Sequence, residues 1–190
     1  LKEKFKKNSN IQIILGDFFE HRGKYDLIIE QTFFCALPPF MRQKYVWKMH
    51  LLLADYGILA GLLFNRIFES GPPFGGGKEE YEMLFKDAFD FLKMDVSKNS
   101  IAPRANSELF IELKKNNHVL VNLYEFEGIT CNDCMETITK KLTTIDGILN
   151  VNMSNNFAEV LIVSKNEIAI EALQQVISYD EKYKIKKINK

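Results

Sequence analysis

The stretch Tyr25–Pro39, YDLIIEQTFFCALPP, decides how the first part of the chain is read. Tyr25–Glu30 is a short, mostly apolar and β-branched run, which predicts a strand. Pro38 and Pro39 then stand where prolines start a helix, and the pattern over Phe40–Leu53 is helical. Downstream, Gly57–Phe64 (GILAGLLF) is continuously apolar and predicts a central strand buried on both faces. Lys78–Phe89 predicts a second helix, with Tyr81, Leu84, Phe85 and Phe89 on one face. Phe91–Val96 and Leu109–Leu113 predict an antiparallel hairpin. Upstream, Ile11–Leu15 reads as a short strand and Leu1–Lys7 as the tail of a helix. Strands alternating with helices predict an α/β fold with a mostly parallel sheet.

The pattern changes at Lys114-Lys115-Asn116-Asn117. All 5 prolines lie before it, and both closely spaced cysteines lie after it. The second part reads β-α-β-β-α-β. Its strands are expected at Val119–Phe126, Ile148–Met153, Ala158–Val163 and Lys184–Ile188, its helices at Cys134–Leu142 and Glu167–Tyr179, and its hairpin turn at Asn155-Asn156. This order predicts a ferredoxin-like α+β module. The domains expected are therefore 1–116 and 117–190.

Composition narrows the function. The chain has 190 residues, 46% hydrophobic and 26% charged, with 25 basic against 25 acidic side chains. A protein that grips nucleic acid through its phosphates should be basic, so no nucleic-acid partner is expected. No apolar run approaches the roughly 20 residues needed to cross a bilayer, so no membrane partner is expected either. Three cysteines suit a reducing compartment, and the expected localisation is cytoplasmic.

The motif Gly128-Ile129-Thr130-Cys131-Asn132-Asp133-Cys134 falls between the first strand and first helix of the second part. A helix N-terminus offers free N–H groups and positive partial charge, which favour thiolates. Two thiolates without further ligands in sequence reach suit Cu(I), or another soft metal ion, better than a closed four-ligand zinc site. A redox pair and an inert pair are the competing readings. The remaining cysteine, Cys35, sits in an apolar run and reads as core. The motif inside this βαββαβ module resembles heavy-metal-associated domains, with Ile129 where that family usually has Met. The resemblance implies that Cys131 and Cys134 bind metal, that a metal-donor or metal-acceptor protein is a partner, and that Tyr179, Lys182 or Tyr183 stands near the site.

The first part carries four separated motifs: GDFF at Gly16–Phe19, the run from Asp26 to Tyr45, GPPF at Gly71–Phe74 and NSIAPR at Asn99–Arg104. Acidic and aromatic residues at the carboxyl ends of strands belong where open α/β sheets bind ligands. Gly75–Gly77 is not a phosphate cradle, because no Lys-Ser/Thr follows it; the loop reads as a substrate wall or as plain surface. In order, the four motifs resemble the thiopurine S-methyltransferase-like class of S-adenosylmethionine-dependent methyltransferases, closest to its halide/thiol branch. The resemblance implies that Asp17 and Phe18 border the adenine. It places Glu30, Gln31 and Thr32 beside the methionine part and methyl group. Phe34, Pro73, Phe74 and Tyr81 would shape the acceptor pocket, with Arg104 at its edge, while Arg42 and Tyr45 would be structural.

That class opens with a strand, a G-x-G-x-G loop and a second strand, which are not in this sequence. The expectation is the C-terminal part of a Rossmann-like class I sheet with its first strands missing, unable alone to hold S-adenosylmethionine tightly. The resulting reading is methyl transfer to a small soft nucleophile (a thiol, halide, selenium or tellurium species) coupled to soft-metal binding. The alternatives are a copper-trafficking module beside an inactive methyltransferase-like half, and a non-catalytic interaction protein.

Overall fold

The computed structural model describes residues 2–5 and 10–188. After a single helical turn α1 (Lys2–Phe5), the first part contains β1 (Tyr25–Gln31), α2 (Arg42–Leu52), β2 (Leu53–Phe64), α3 (Lys78–Phe85), β3 (Phe89–Val96) and β4 (Glu108–Lys115). Its sheet has the order β1-β2-β4-β3. β1 and β2 are parallel; β4 runs antiparallel to both of its neighbours. The expected mostly parallel sheet is thus corrected to one parallel and two antiparallel pairings among the described strands. The cause is the β3–β4 hairpin, which returns β4 between β2 and β3.

The strand expected at Ile11–Leu15 is not formed, and Leu15 is 90% exposed. None of the described strands pairs with this segment. The expected helical tail is described only over Lys2–Phe5; Leu1, Lys6 and Lys7 lie outside the described residues.

α2 follows a 3-10 turn that begins at Pro39, as the proline placement predicts. It runs into β2 without a loop. Lys24 and Lys115 each donate from Nζ to the Leu53 carbonyl, and Lys24 also reaches Leu51 O at 2.7 Å. These ammonium groups satisfy and neutralise the negative helix end. α3 stops at Phe85, and Phe89 instead begins β3.

β2 is buried on one face only. Leu53, Gly57, Leu59, Gly61 and Leu63 face the core, while the alternate residues Ile58, Ala60, Leu62 and Phe64 remain half-buried. The second face, shared with Leu27, Ile29 and Phe110, forms an open trough of about 920 Å³. The expectation of a strand buried on both faces fails because no described element covers this side.

A turn at residues 116–119 leads into β5 (Leu120–Glu127), α4 (Asn132–Leu142), β6 (Ile148–Met153), β7 (Glu159–Ser164), α5 (Ile170–Ile177) and β8 (Lys184–Lys187). The β-α-β-β-α-β order is as read, although α5 starts three residues later than expected. This sheet, β6-β7-β5-β8, is antiparallel throughout. Ile138, Leu142, Leu173 and Ile177 of its helices pack with Tyr124, Phe126, Val160 and Ile162 on one sheet face. The opposite face meets α2 of the first part.

Candidate functional site

The carboxyl end of β1 is built around a buried carboxylate. Glu30 lies on the core side of β1, 3% exposed. Its Oε1 accepts from the Phe33 and Phe34 amides at 2.8 and 3.0 Å, and its Oε2 accepts from the Tyr45 hydroxyl at 3.0 Å. The side chain expected beside the methionine moiety is therefore committed to holding the following loop. Burial, with the Glu30 charge second, pushes the Tyr45 phenol well above its ordinary pKa, so it stays a donor. Burial likewise raises the Cys35 thiol, which donates to Thr32 O at 3.3 Å as a core residue.

Gln31 and Thr32 are the residues that β1 leaves exposed at this end. Thr32 has φ +69° and donates its hydroxyl to Gln31 O at 2.6 Å. A β-branched residue at positive φ is a genuine conformational outlier, and such outliers concentrate at binding sites. Beside it, Phe33 meets Phe18 edge to face, ring centroids 4.8 Å apart. Phe33 was not singled out by sequence reasoning; its pairing with Phe34, one ring inward and one outward, was the available signal. Asp17 caps the turn carrying Phe18, accepting from Phe19 N at 2.8 Å. Asp17 and Phe18 line an open groove of about 530 Å³ with Ile14, Glu20 and Arg22.

The loop after β2 closes against the β1 loop. Phe74 N donates to Cys35 O at 2.6 Å, which brings Pro73 and Phe74 beside residues 32–37. Arg42 anchors the same loop. It donates to Gly75 O at 2.7 Å, pairs with Glu80, and lies over the Phe34 ring at 5.2 Å and the Tyr81 ring at 5.7 Å. Arg42 and Tyr45 hold structure, as their expected role has it. Phe34 and Tyr81 differ from expectation, being 1% and 0% exposed. They belong to the aromatic core rather than to a pocket wall, because Tyr81 donates inward to Phe64 O at 2.8 Å and Phe34 packs edge-on to Tyr45 and Tyr81. Burial pushes the Tyr81 phenol up to about 12. Arg104 bridges to Glu108 at 3.2 Å and lies over Phe64 at 5.2 Å, at the carboxyl end of β2.

The cysteine pair occupies the other end of the molecule's chemistry. Cys131 is the N-cap of α4, and Cys134 N donates to its Sγ at 3.2 Å. The two are joined by a disulfide, with Cα atoms 5.3 Å apart. Cys131 is exposed and Cys134 half-buried; Ile129 is turned into the core. Gly128 has φ +93°, and a Cβ there would strike the Lys182 carbonyl. That close approach sets Lys182 beside the motif, while Tyr183 is buried and Tyr179 packs 5.4 Å from it. Among the described residues no group of three or more His, Cys, Asp or Glu side chains could hold a metal ion. The reduced pair would offer two soft sulfur donors.

Residues 1–123 match the family model for thiopurine S-methyltransferase. A probable thiol methyltransferase 2 from Arabidopsis thaliana is 35% identical over 104 residues, covering 53% of this chain and 46% of that protein. Thiocyanate methyltransferase 1 from Brassica oleracea is 32% identical over 105 residues, with the same coverage of both chains. The chain spans about half the length of these relatives. Over 36% of its length this chain is also similar to a yeast copper transporter domain solved in apo and Cu(I)-loaded states, with TM-score 0.32 and 20% identity, covering 94% of that chain.

Proposed function

Because the chain belongs to the thiopurine S-methyltransferase family through residues 1–123, we propose that the whole protein transfers a methyl group from S-adenosylmethionine to a small soft nucleophile. The family match is the observation that carries this reading. The relatives' own names, thiol and thiocyanate methyltransferase, point to sulfur acceptors; halide, selenium and tellurium species share that softness. S-adenosylmethionine, when bound, supplies an electrophilic methyl on a sulfonium. The groove lined by Asp17 and the Phe18 ring suits its flat adenine. Gln31 and Thr32 offer exposed polar groups for its methionine portion. Pro73 and Phe74 give the acceptor an apolar wall, with Arg104 at the edge. Glu30, Phe34 and Tyr81 act from behind, fixing the two loops that present these groups.

In the transfer, the acceptor's electron pair forms the new bond to the methyl carbon as the carbon–sulfonium bond breaks. The chain's contribution is alignment and exclusion of water, and no general base is required. A thiol with an ordinary pKa of about 8.5 already supplies some thiolate near neutrality. Assays of the full-length protein with thiol, iodide, selenite and tellurite acceptors test this. Transfer from labelled S-adenosylmethionine to at least one acceptor is expected; none above background would overturn the reading. For the 190 residues alone, calorimetry should show no micromolar donor binding.

The second module, residues 117–190, is read as a ferredoxin-like, heavy-metal-associated domain, supported by its β-α-β-β-α-β topology and by the cysteine pair at the start of α4. In its dithiol form it would bind Cu(I) or a similar soft ion through Cys131 and Cys134. Cu(I) titration of the reduced protein against the C131S/C134S double variant checks this, and an unchanged affinity would remove the assignment.

A further inference from the structure

The two sequence modules share one core, and we propose that they form a single cooperative folding unit in which the second sheet is the outer layer that holds α2 in place. This goes beyond the methyl-transfer and metal-binding readings and depends on neither.

The apolar cluster of the first part does not stop at residue 116. It runs from Leu59, Leu63, Ile111 and Leu113 through Val46, Trp47 and Met49 of α2 into Val121, Leu123, Leu161 and Val163 of the second sheet. The last four residues are paired across the β5–β7 ladder, Val121 with Val163 and Leu123 with Leu161, so they stand together on one face. That is the face turned away from α4 and α5. Every residue of α2 except Lys44 and Leu51 is buried. A helix buried over most of its surface needs covers on opposite sides, and here the first sheet and the second sheet supply them.

Polar contacts fix the register between the layers. Gln43 Nε2 donates to Asn152 Oδ1 at 2.8 Å and to Met153 O at 3.1 Å. Asn150 donates to Lys86 O at 3.2 Å, and Asn152 to Met83 O at 3.4 Å. The connection is also pinned. Asn116 N donates to Ala88 O, its Nδ2 donates to Asp87 O, and its Oδ1 accepts from His118 N. Separating the modules would expose the four paired residues and part of the α2 face packed on them, enlarging the exposed apolar surface.

The consequence reaches the site. Tyr45 and Arg42 sit on the same helix and hold Glu30 and the Gly75 loop, so the second sheet supports the loops of the first module through α2.

Hydrogen exchange on the full chain tests the proposal with Leu173→Ala. Leu173 belongs to the cluster under α4 and α5, away from α2. One cooperative unit predicts that protection of the slowest amides in α2 and β2 falls by the same factor as in β5 and β7, at least tenfold for a buried Leu→Ala change. Protection in α2 and β2 within twofold of the parent, while that in β7 drops, would overturn it. The milder Ile177→Val variant covers the case in which Leu173→Ala does not fold. Equal factors in both modules are expected, and a loss confined to the second module would again refute a shared unit.

Discussion

Tyr45 donates its hydroxyl to a carboxylate that also carries two loop amides, so its removal should cost more than a neutral hydrogen bond. Tyr45→Phe is expected to destabilise by about 1–3 kcal/mol in urea denaturation, and Tyr81→Phe, whose partner is a neutral carbonyl, by about 1 kcal/mol. Thr32 holds a conformation its side chain disfavours. Thr32→Asn should therefore raise the unfolding free energy by up to about 1 kcal/mol in thermal melts. Glu159 lies opposite Glu125 on the ladder, and burial raises its pKa above 4.5, with Lys44 opposing that shift and Glu125 adding to it. A raised carboxyl binds its proton more tightly when folded. Its favourable contribution is complete below pH 4.5 and is lost as pH climbs through the folded value. Glu159→Gln should thus stabilise at pH 7, by a few tenths of a kcal/mol up to about 1, and change little at pH 4. The cysteines, Glu30 and the GPPF loop were all visible in the sequence. The orientation of Glu30 was not, because an acid at a strand end reads alike whether it meets a ligand or its own loop.

At the level of elements, propensity and punctuation carried far. The prolines at 38 and 39 and the hairpin turn at Asn155-Asn156 mark boundaries through local backbone chemistry, and those boundaries appear where read. What failed depended on neighbours. Ile11–Leu15 has strand composition but pairs with none of the described strands, and β2 looks doubly buried in sequence but is covered on one face. The run Val160–Val163, with no polar alternation, was the overlooked sign that β7 is covered on both faces. Two glycines hold loops by close approach. A Cβ at Gly75 would strike the Arg66 carbonyl, and one at Gly128 the Lys182 carbonyl at a backbone φ of +93°. Gly75→Ala is expected to loosen the loop that Arg42 anchors and to cost on the order of 1–3 kcal/mol. Limited proteolysis within residues 66–77 would show it as faster cleavage than in the parent.

For the whole molecule, the single tryptophan provides a reporter, since Trp47 is 4% exposed and belongs to the apolar cluster that includes residues of both sheets. Its fluorescence and the far-UV circular dichroism of the full chain should give coincident urea transitions. Two separated midpoints would mean that the layers part before they unfold. Composition changes at residues 114–117, and the first sheet's last strand ends at Lys115 while the second sheet's first strand begins at Leu120. The shared core was not, since nothing local announces which face of one sheet will meet the helix of another. The trough over Leu27, Ile29, Leu62 and Phe110 has a bearing on handling in solution. Ile29 is 77% exposed on a strand whose outer edge is unpaired among the described residues. Such a surface is adhesive. A preparation of these 190 residues should scatter more light as concentration rises, and Ile29→Lys should suppress that colloidal growth without shifting the melting temperature.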